Sequence, residues 1–199
     1  MTISARRIRQ PALISINGVG STPLAWAGPY FGPGSAEFSL QVLRDCDGLL
    51  MGRHTYEIFA RQWPGAPGEY AAALNRVRKY VFSSTLKLAE WSHTTVVRGD
   101  VSSAVASMKS HPGRDLLMYG HGRLGQSLLE AGLVDELTLN VVPVFADGEP
   151  LFRPGTVPGA WELYDVGPGA DPGLATLTYR PRLAAQQVAR PPTRARPRR

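Results

Sequence analysis

Short apolar runs and amphipathic stretches take turns along most of this chain. Ala12–Ile16, Gly48–Met51, Lys79–Phe82, Thr94–Val97, Asp115–Tyr119 and Glu136–Val144 are rich in branched and apolar residues and read as strands. Between them, Ala36–Asp45, His54–Gln62, Glu69–Val77, Val101–Ser110 and Arg123–Ala131 read as helices. Ser35 offers a cap for the first of these, with Glu37 in its first turn, where a carboxylate suits the helix dipole. Trp161–Val166 and Leu174–Tyr179, joined by a turn-rich stretch, predict an antiparallel pair. Strands alternating with helices predict an α/β fold of three layers, a mixed, mostly parallel sheet flanked by helices. Residues 19–34 interrupt the pattern. They are rich in Gly, Pro and aromatics, including Trp26, Tyr30 and Phe31, and a loop of that length inside a domain is often functional.

Composition narrows the setting. The chain has 199 residues and is 43% hydrophobic, enough for one domain with a sizeable core. No apolar stretch reaches membrane-spanning length, and the arginines at 6, 7 and 9 precede no signal-peptide core. Cys46 is the only cysteine. It cannot close an internal disulfide and reads as a small buried hydrophobe rather than a nucleophile. These features predict a cytoplasmic protein.

The net charge of +6 belongs to the last 18 residues, which carry six arginines and no acid; residues 1–181 are neutral. The expected organisation is a flexible N-terminus over 1–10, one domain over 11–181 and a disordered basic tail over 182–199. The tail could touch nucleic acid nonspecifically, but a solvated appendage is the simpler reading. The body shows no zinc spacing and no basic run interleaved with aromatics, so no specific nucleic-acid partner is expected.

Three strand-to-loop junctions carry the candidate chemistry: Met51-Gly52-Arg53-His54-Thr55, Phe82-Ser83-Ser84-Thr85 and Tyr119-Gly120-His121-Gly122-Arg123-Leu124. Each offers glycine or hydroxyl groups beyond an apolar strand, and two add arginine. In open α/β sheets ligands bind beyond the carboxyl ends of strands, where helix N-termini present free N–H groups to anions. Taken singly, each is an ordinary turn, and the Gly-x-Gly lacks the third glycine of a Rossmann fingerprint. Together they point to one polyanionic ligand spanning several loops.

Taken in order, these runs resemble the dihydrofolate reductase-like fold family. Gly132-Leu133-Val134-Asp135-Glu136-Leu137, Pro143-Val144-Phe145 and Gly148 are similar to its bacterial branch related to the C-terminal reductase domain of riboflavin biosynthesis. The resemblance covers roughly residues 12–180 and implies NADPH as cofactor. It sets Gly52, Arg53 and Thr55 along the phosphates and Ser83 and Ser84 near the adenosine 2′-phosphate. It wraps Gly120, His121, Gly122, Arg123 and Leu124 around the pyrophosphate. Arg98 is either a further phosphate contact or a plain surface arginine. Candidate substrate walls are Trp26, Phe38, Phe59 and Trp63, each equally suited to packing. Glu37 is the leading proton relay if burial raises its pKa, with Tyr56 as an alternative donor. Asp135 and Glu136 read as structural.

The chain departs from the family pattern at three places, one of them the loop 19–34, which would border the nicotinamide and the substrate, so substrate choice does not carry over. Asn17 stands at the end of the first strand, where many members carry Asp, so proton handling there is in question. His121 replaces one glycine of a tight pair, either crowding the cofactor, bonding to it, or facing solvent. The implied function is an NADPH-dependent reductase that transfers a hydride to a small heterocyclic or specialised-metabolite substrate, working as a homodimer. The alternative is a non-redox binding protein on the same fold.

Overall fold

The computed structural model describes residues 6–152, 155 and 159–182. Six parallel strands form its centre: β1 (Ile8–Ser15), β2 (Cys46–Gly52), β3 (Arg78–Phe82), β4 (Thr94–Val97), β5 (Asp115–Tyr119) and β6 (Glu136–Val142). An antiparallel pair, β7 (Trp161–Pro168) and β8 (Ala175–Pro181), joins through β8. The sheet order is β4-β3-β2-β5-β1-β6-β8-β7. The mixed α/β fold expected from the alternating pattern is the one found.

The central strands have no polar face because helices cover both sides. In β5, Leu116 and Met118 pack with Val105, Leu124, Leu128 and Leu129. These come from α5 (Val101–Ser110) and α6 (Arg123–Glu130). The alternate residue Leu117 packs the other way, with Val42, Leu43, Tyr56 and Leu74. Those belong to α2 (Pro33–Arg44), α3 (Arg53–Gln62) and α4 (Glu69–Arg76). Residues 19–34 hold a short helix, α1 (Pro23–Trp26), and a 3₁₀ turn at Gly28–Tyr30.

The N-terminal boundary differs from expectation. β1 begins at Ile8, and Arg6 is buried with its guanidinium paired to Asp47. Residues 6–10 therefore belong to the domain rather than to a flexible leader; residues 1–5 and 183–199 lie outside the described residues. Pro11 and three polar neighbours disguised the strand, because proline argues against a central strand. Ion pairs hold this end. Arg7 binds Asp115 at 2.7 Å, Ile8 N donates to Asp135 at 2.7 Å, and buried Glu136 receives Arg9 at 3.0 Å and Arg180 at 2.7 Å. Asp135 and Glu136 are thus structural, as expected.

The start of α2 also differs. Its N-cap is Gly32, not Ser35, and Glu37 falls beyond the first turn, so the dipole argument for that carboxylate lapses. The helix is capped from a distance. Asp171, between β7 and β8, accepts from the amides of Gly32 (2.8 Å), Gly34 (3.0 Å) and Ser35 (2.8 Å). These bonds hold the Asp171 carboxyl below the usual carboxylate range. A carboxyl with a lowered folded pKa adds stability above the unfolded value of about 3.9, and loses it as pH falls through the folded one. Asp171→Asn should therefore melt below wild type at neutral pH, with the gap closing as the pH falls below about 4. A gap independent of pH would remove Asp171's charge from the account.

Candidate functional site

Because β3, β2 and β5 are neighbours, their following loops emerge side by side at the carboxyl edge of the sheet. The three junctions read from the sequence therefore meet. Gly52 is the N-cap of α3 and Gly122 that of α6. The two starts touch: a Cβ on Gly120 would stand 2.4 Å from Thr55 Oγ1, and one on Gly52 would stand 3.9 Å from Leu124 Cβ. Gly120 also has φ +92°, in the left-handed region, so conformation and space both demand glycine there. Arg53 reaches the third junction. Its Nη1 donates to Thr85 Oγ1 at 2.8 Å and its Nε to Glu57 at 2.6 Å, which keeps the Glu57 carboxyl low.

That third junction is braced from within. Ser83 Oγ accepts from the amides of Thr85 (3.2 Å) and Leu86 (3.0 Å). Arg98 donates to the carbonyls of Ser83, Ser84 and Leu86 at 3.4, 3.1 and 2.7 Å. Arg98 is thus a loop brace, and Ser84 is the exposed hydroxyl of the pair.

The helix starts differ in charge. Asp171 caps α2, Glu69 lies in the first turn of α4, and Asp100 accepts from Ser103 N at 2.8 Å on α5. By contrast, α3 and α6 have neither a side-chain cap nor an acid in the first turn, and each opens on an arginine, Arg53 or Arg123. A cation at the positive end of a helix costs stability, about 0.3–1 kcal/mol. The cost makes sense where an anion completes the site.

Beside this cradle the sheet is parted. β1 pairs with β5 only at Ile8↔Leu116 and Arg9↔Leu117. Above that level β5 stays with β2 up to Tyr119, and β1 stays with β6 up to Ser15. Among the described residues one side-chain bond spans the parting, Gln10 Nε2 to His121 Nδ1 at 3.0 Å. Gln10 is 1% exposed, and the imidazole stands edge-on to Phe152 at 5.7 Å. Gln10 Oε1 and His121 Nε2 are sealed from solvent without a partner among the described residues. Burial pushes the imidazole pKa down to about 4, so the ring is neutral. The His121 side chain therefore turns into the sheet rather than to solvent, leaving only its backbone for the pyrophosphate loop. Room for this arrangement comes from Gly125, where a Cβ would stand 2.8 Å from Gln10 Nε2.

Other predicted site residues are placed elsewhere. Asn17 is a clasp: Oδ1 accepts from Ser15 Oγ (2.7 Å) and Ala146 N (3.0 Å), while Nδ2 donates to Ala146 O (2.9 Å). Its polar atoms are committed to holding the first turn, so it does not handle protons. Tyr56 is buried in the core, its hydroxyl accepting from Trp91 N at 3.1 Å. Glu37 is exposed and receives Gln41 Nε2 at 3.4 Å.

The four aromatics do not form one wall. Phe59 packs 5.6 Å from Tyr119, and Trp63 stands 5.1 Å from Tyr70. Trp26 packs near Val142 and Leu174, and Phe38 is exposed on α2. The hydroxyls of Tyr70 and Tyr119 share a 2.9 Å bond; burial pushes Tyr70 up to about 12 and Tyr119 well above its usual value. Cys46 is buried, its thiol pushed up to about 12 by desolvation, as suits an inert packing residue. An open groove lined by Tyr56, Arg61, Asn75 and Trp91 holds none of the junction glycines.

Sequence reasoning missed Gln10, Gly125, Phe152 and Asp171. A glutamine in an apolar strand and a glycine inside an amphipathic helix were the available signals for the first two.

The sheet, its order and its carboxyl-edge cradle define a protein of the dihydrofolate reductase-like class. The chain belongs to the RibD C-terminal domain family, whose model matches residues 24–166. The uncharacterized protein YyaP of Bacillus subtilis (strain 168) is 28% identical over 116 residues, spanning 55% of this chain and 61% of that relative, under two thirds of its length. A candidate riboflavin biosynthesis protein from Shewanella sp. PV-4 superposes with a TM-score of 0.71 at 20% identity, covering 89% of this chain and 99% of the other. A pyrimidine reductase-like protein from Corynebacterium diphtheriae gives 0.65 at 15% identity, covering 89% and 92%. Dihydrofolate reductase from Enterococcus faecalis, complexed with NADP(H) and RAB-propyl, gives 0.60 at 18%, covering 88% and 96%. At these identities the structures share the fold. No described helix is long and apolar enough to cross a membrane.

Gly120→Ala should cost about 1–3 kcal/mol from left-handed strain alone, read as a lower urea midpoint. Adding Thr55→Ala should recover the part due to collision and no more. Full recovery would show that φ at Gly120 carries no strain.

Proposed function

We propose that this chain is an NADPH-dependent reductase acting on a small heterocyclic or specialised-metabolite substrate. One observation carries the reading: the two helix starts that meet at the parted sheet are the two left uncapped, acid-free and led by arginine. A polyanionic ligand offsets that unfavourable charge. The residues fit the cofactor. Backbone N–H groups of 52–55 and 120–124 would hold its phosphates. Arg53, beside Thr85 and Ser84, would take the 2′-phosphate as a permanent cation with hydroxyls at hand. Two sealed, unpartnered polar atoms mark the inner end of the site. When bound, the cofactor supplies the hydride.

What the chain supplies is position. β1 and β5 part beyond Arg9↔Leu117, and the tilted Phe59–Tyr119 pair flanks β5 with apolar surface. Of the proton candidates, Glu37 keeps a free carboxylate oxygen among the described residues, while Asn17 and Tyr56 are committed to structure. The NADP(H) complex of the Enterococcus faecalis enzyme supports the cofactor by shared fold.

Saturating NADPH should raise the melting temperature of wild type by mass action. Arg123→Glu should melt at or slightly above wild type without ligand, because an acid suits a helix start. The same variant should lose most of the NADPH shift. No shift in wild type at saturating NADPH would overturn the reading.

A further inference from the structure

The strands β6, β8 and β7 have two unlike faces. Cross-strand partners lie on one side of a sheet, so the register sorts them. On one side stand Leu137, Tyr179 and Leu163, and beside them Leu139, Leu177 and Val166. On the other stand Thr138, Thr178 and Asp165, then Asn140, Thr176 and Gly167. The polar side is bonded within itself, Thr138 to Thr178 at 3.4 Å and Thr176 to Asn140 at 3.1 Å.

A one-sided sheet puts its apolar face on the core. Here the apolar face is left out of it. None of its six residues belongs to a core cluster among the described residues. Only Leu137 is buried, while Leu163 is 51% exposed and Val166 61%. Gln10 pairs in register with Leu137 and meets α6 at Gly125, so this is the side that α6 covers. The buried residues of α5 and α6 pack with those of β1, β2, β3 and β5 and with none from β8.

Three features select a second copy of the chain as the occupant. The face is uncharged, because Glu162, Asp165 and Arg180 belong to the opposite side, so the same face on another molecule meets no like charge. Residues 1–181 are neutral, so two domains approach without repulsion. Finally, β7 is bulged between Leu163 and Asp165 and ends at Pro168, which spoils its free edge as a template for strand addition. What remains is a flat apolar sheet face, which fits another such face at a spacing of about 10 Å.

We propose that this face is a homodimer interface, with β6, β8 and β7 of two copies stacked about a two-fold axis. The contact is isologous, so each substitution counts twice. It lies apart from the ends of β3, β2 and β5 that form the cradle, and it stands independently of the cofactor reading.

Sedimentation velocity of the full chain tests it. Wild type should pass from monomer to dimer as concentration rises from about 1 to about 100 μM. Leu163→Lys/Val166→Lys buries four ammonium groups per dimer and should weaken association about a hundredfold or more. Asp165→Lys, one residue away on the polar face, should leave the dimer as it is. If the double variant loses its far-UV circular dichroism, Val166→Thr decides instead: it keeps the shape and the branch at Cβ and should weaken association about tenfold. A wild type that stays monomeric overturns the proposal. So does a dimer that survives the double variant, or survives Val166→Thr unweakened where that variant decides. A dimer lost equally in Asp165→Lys places the contact on the edge of β7 and also overturns it.

Discussion

The site depends on how β1 is attached to β5. At one end the two strands are clamped by a short ladder and by the Arg7–Asp115 ion pair, while Asp135 and Glu136 tie β1 to the start of β6. Toward the other end they part, each staying with its outer neighbour. Breaking one partner of a buried pair is expensive, about 3–5 kcal/mol, so the clamped end is a fixed hinge point for the open one. Glu136 serves three arginines from β8 and the start of the chain. The strands that carry no ligand chemistry thereby set the width of the gap that does.

Charge is distributed to match. At α2, α4 and α5 an acid serves the helix start, including Asp171 reaching across from the β7–β8 turn. Where a helix start faces the cradle, glycine leads and arginine follows. Stability is given up at α3 and α6 and at the Gln10–His121 pair, all around one gap. Strain and unmet charge gathered at one place are characteristic of functional sites.

Much of this was legible in the sequence. The apolar runs of β2 and β5 read as strands because both faces are buried, and the junction motifs survived as a site because their strands are neighbours in the sheet. Strand adjacency itself was not readable, so Arg98 stayed ambiguous until its guanidinium was seen bracing 83–86. Asn17 carried a family expectation of proton chemistry, but a hydrogen bond to Ala146, 129 residues away, decides its role. Tyr56 is buried and Glu37 exposed, placements set by tertiary packing that neither residue's local sequence reveals. β1 was cut short because Pro11 obeys a local rule that the parting suspends: there the ladder to β5 has already ended.

The central claim is that the ligand lies across three adjacent strand ends beside the parting. Amide hydrogen exchange with and without NADPH tests it directly. Exchange should slow at 52–55, 83–86 and 120–124 together, with the β7–β8 pair unchanged. Protection confined to the groove around Arg61 and Trp91 would contradict it.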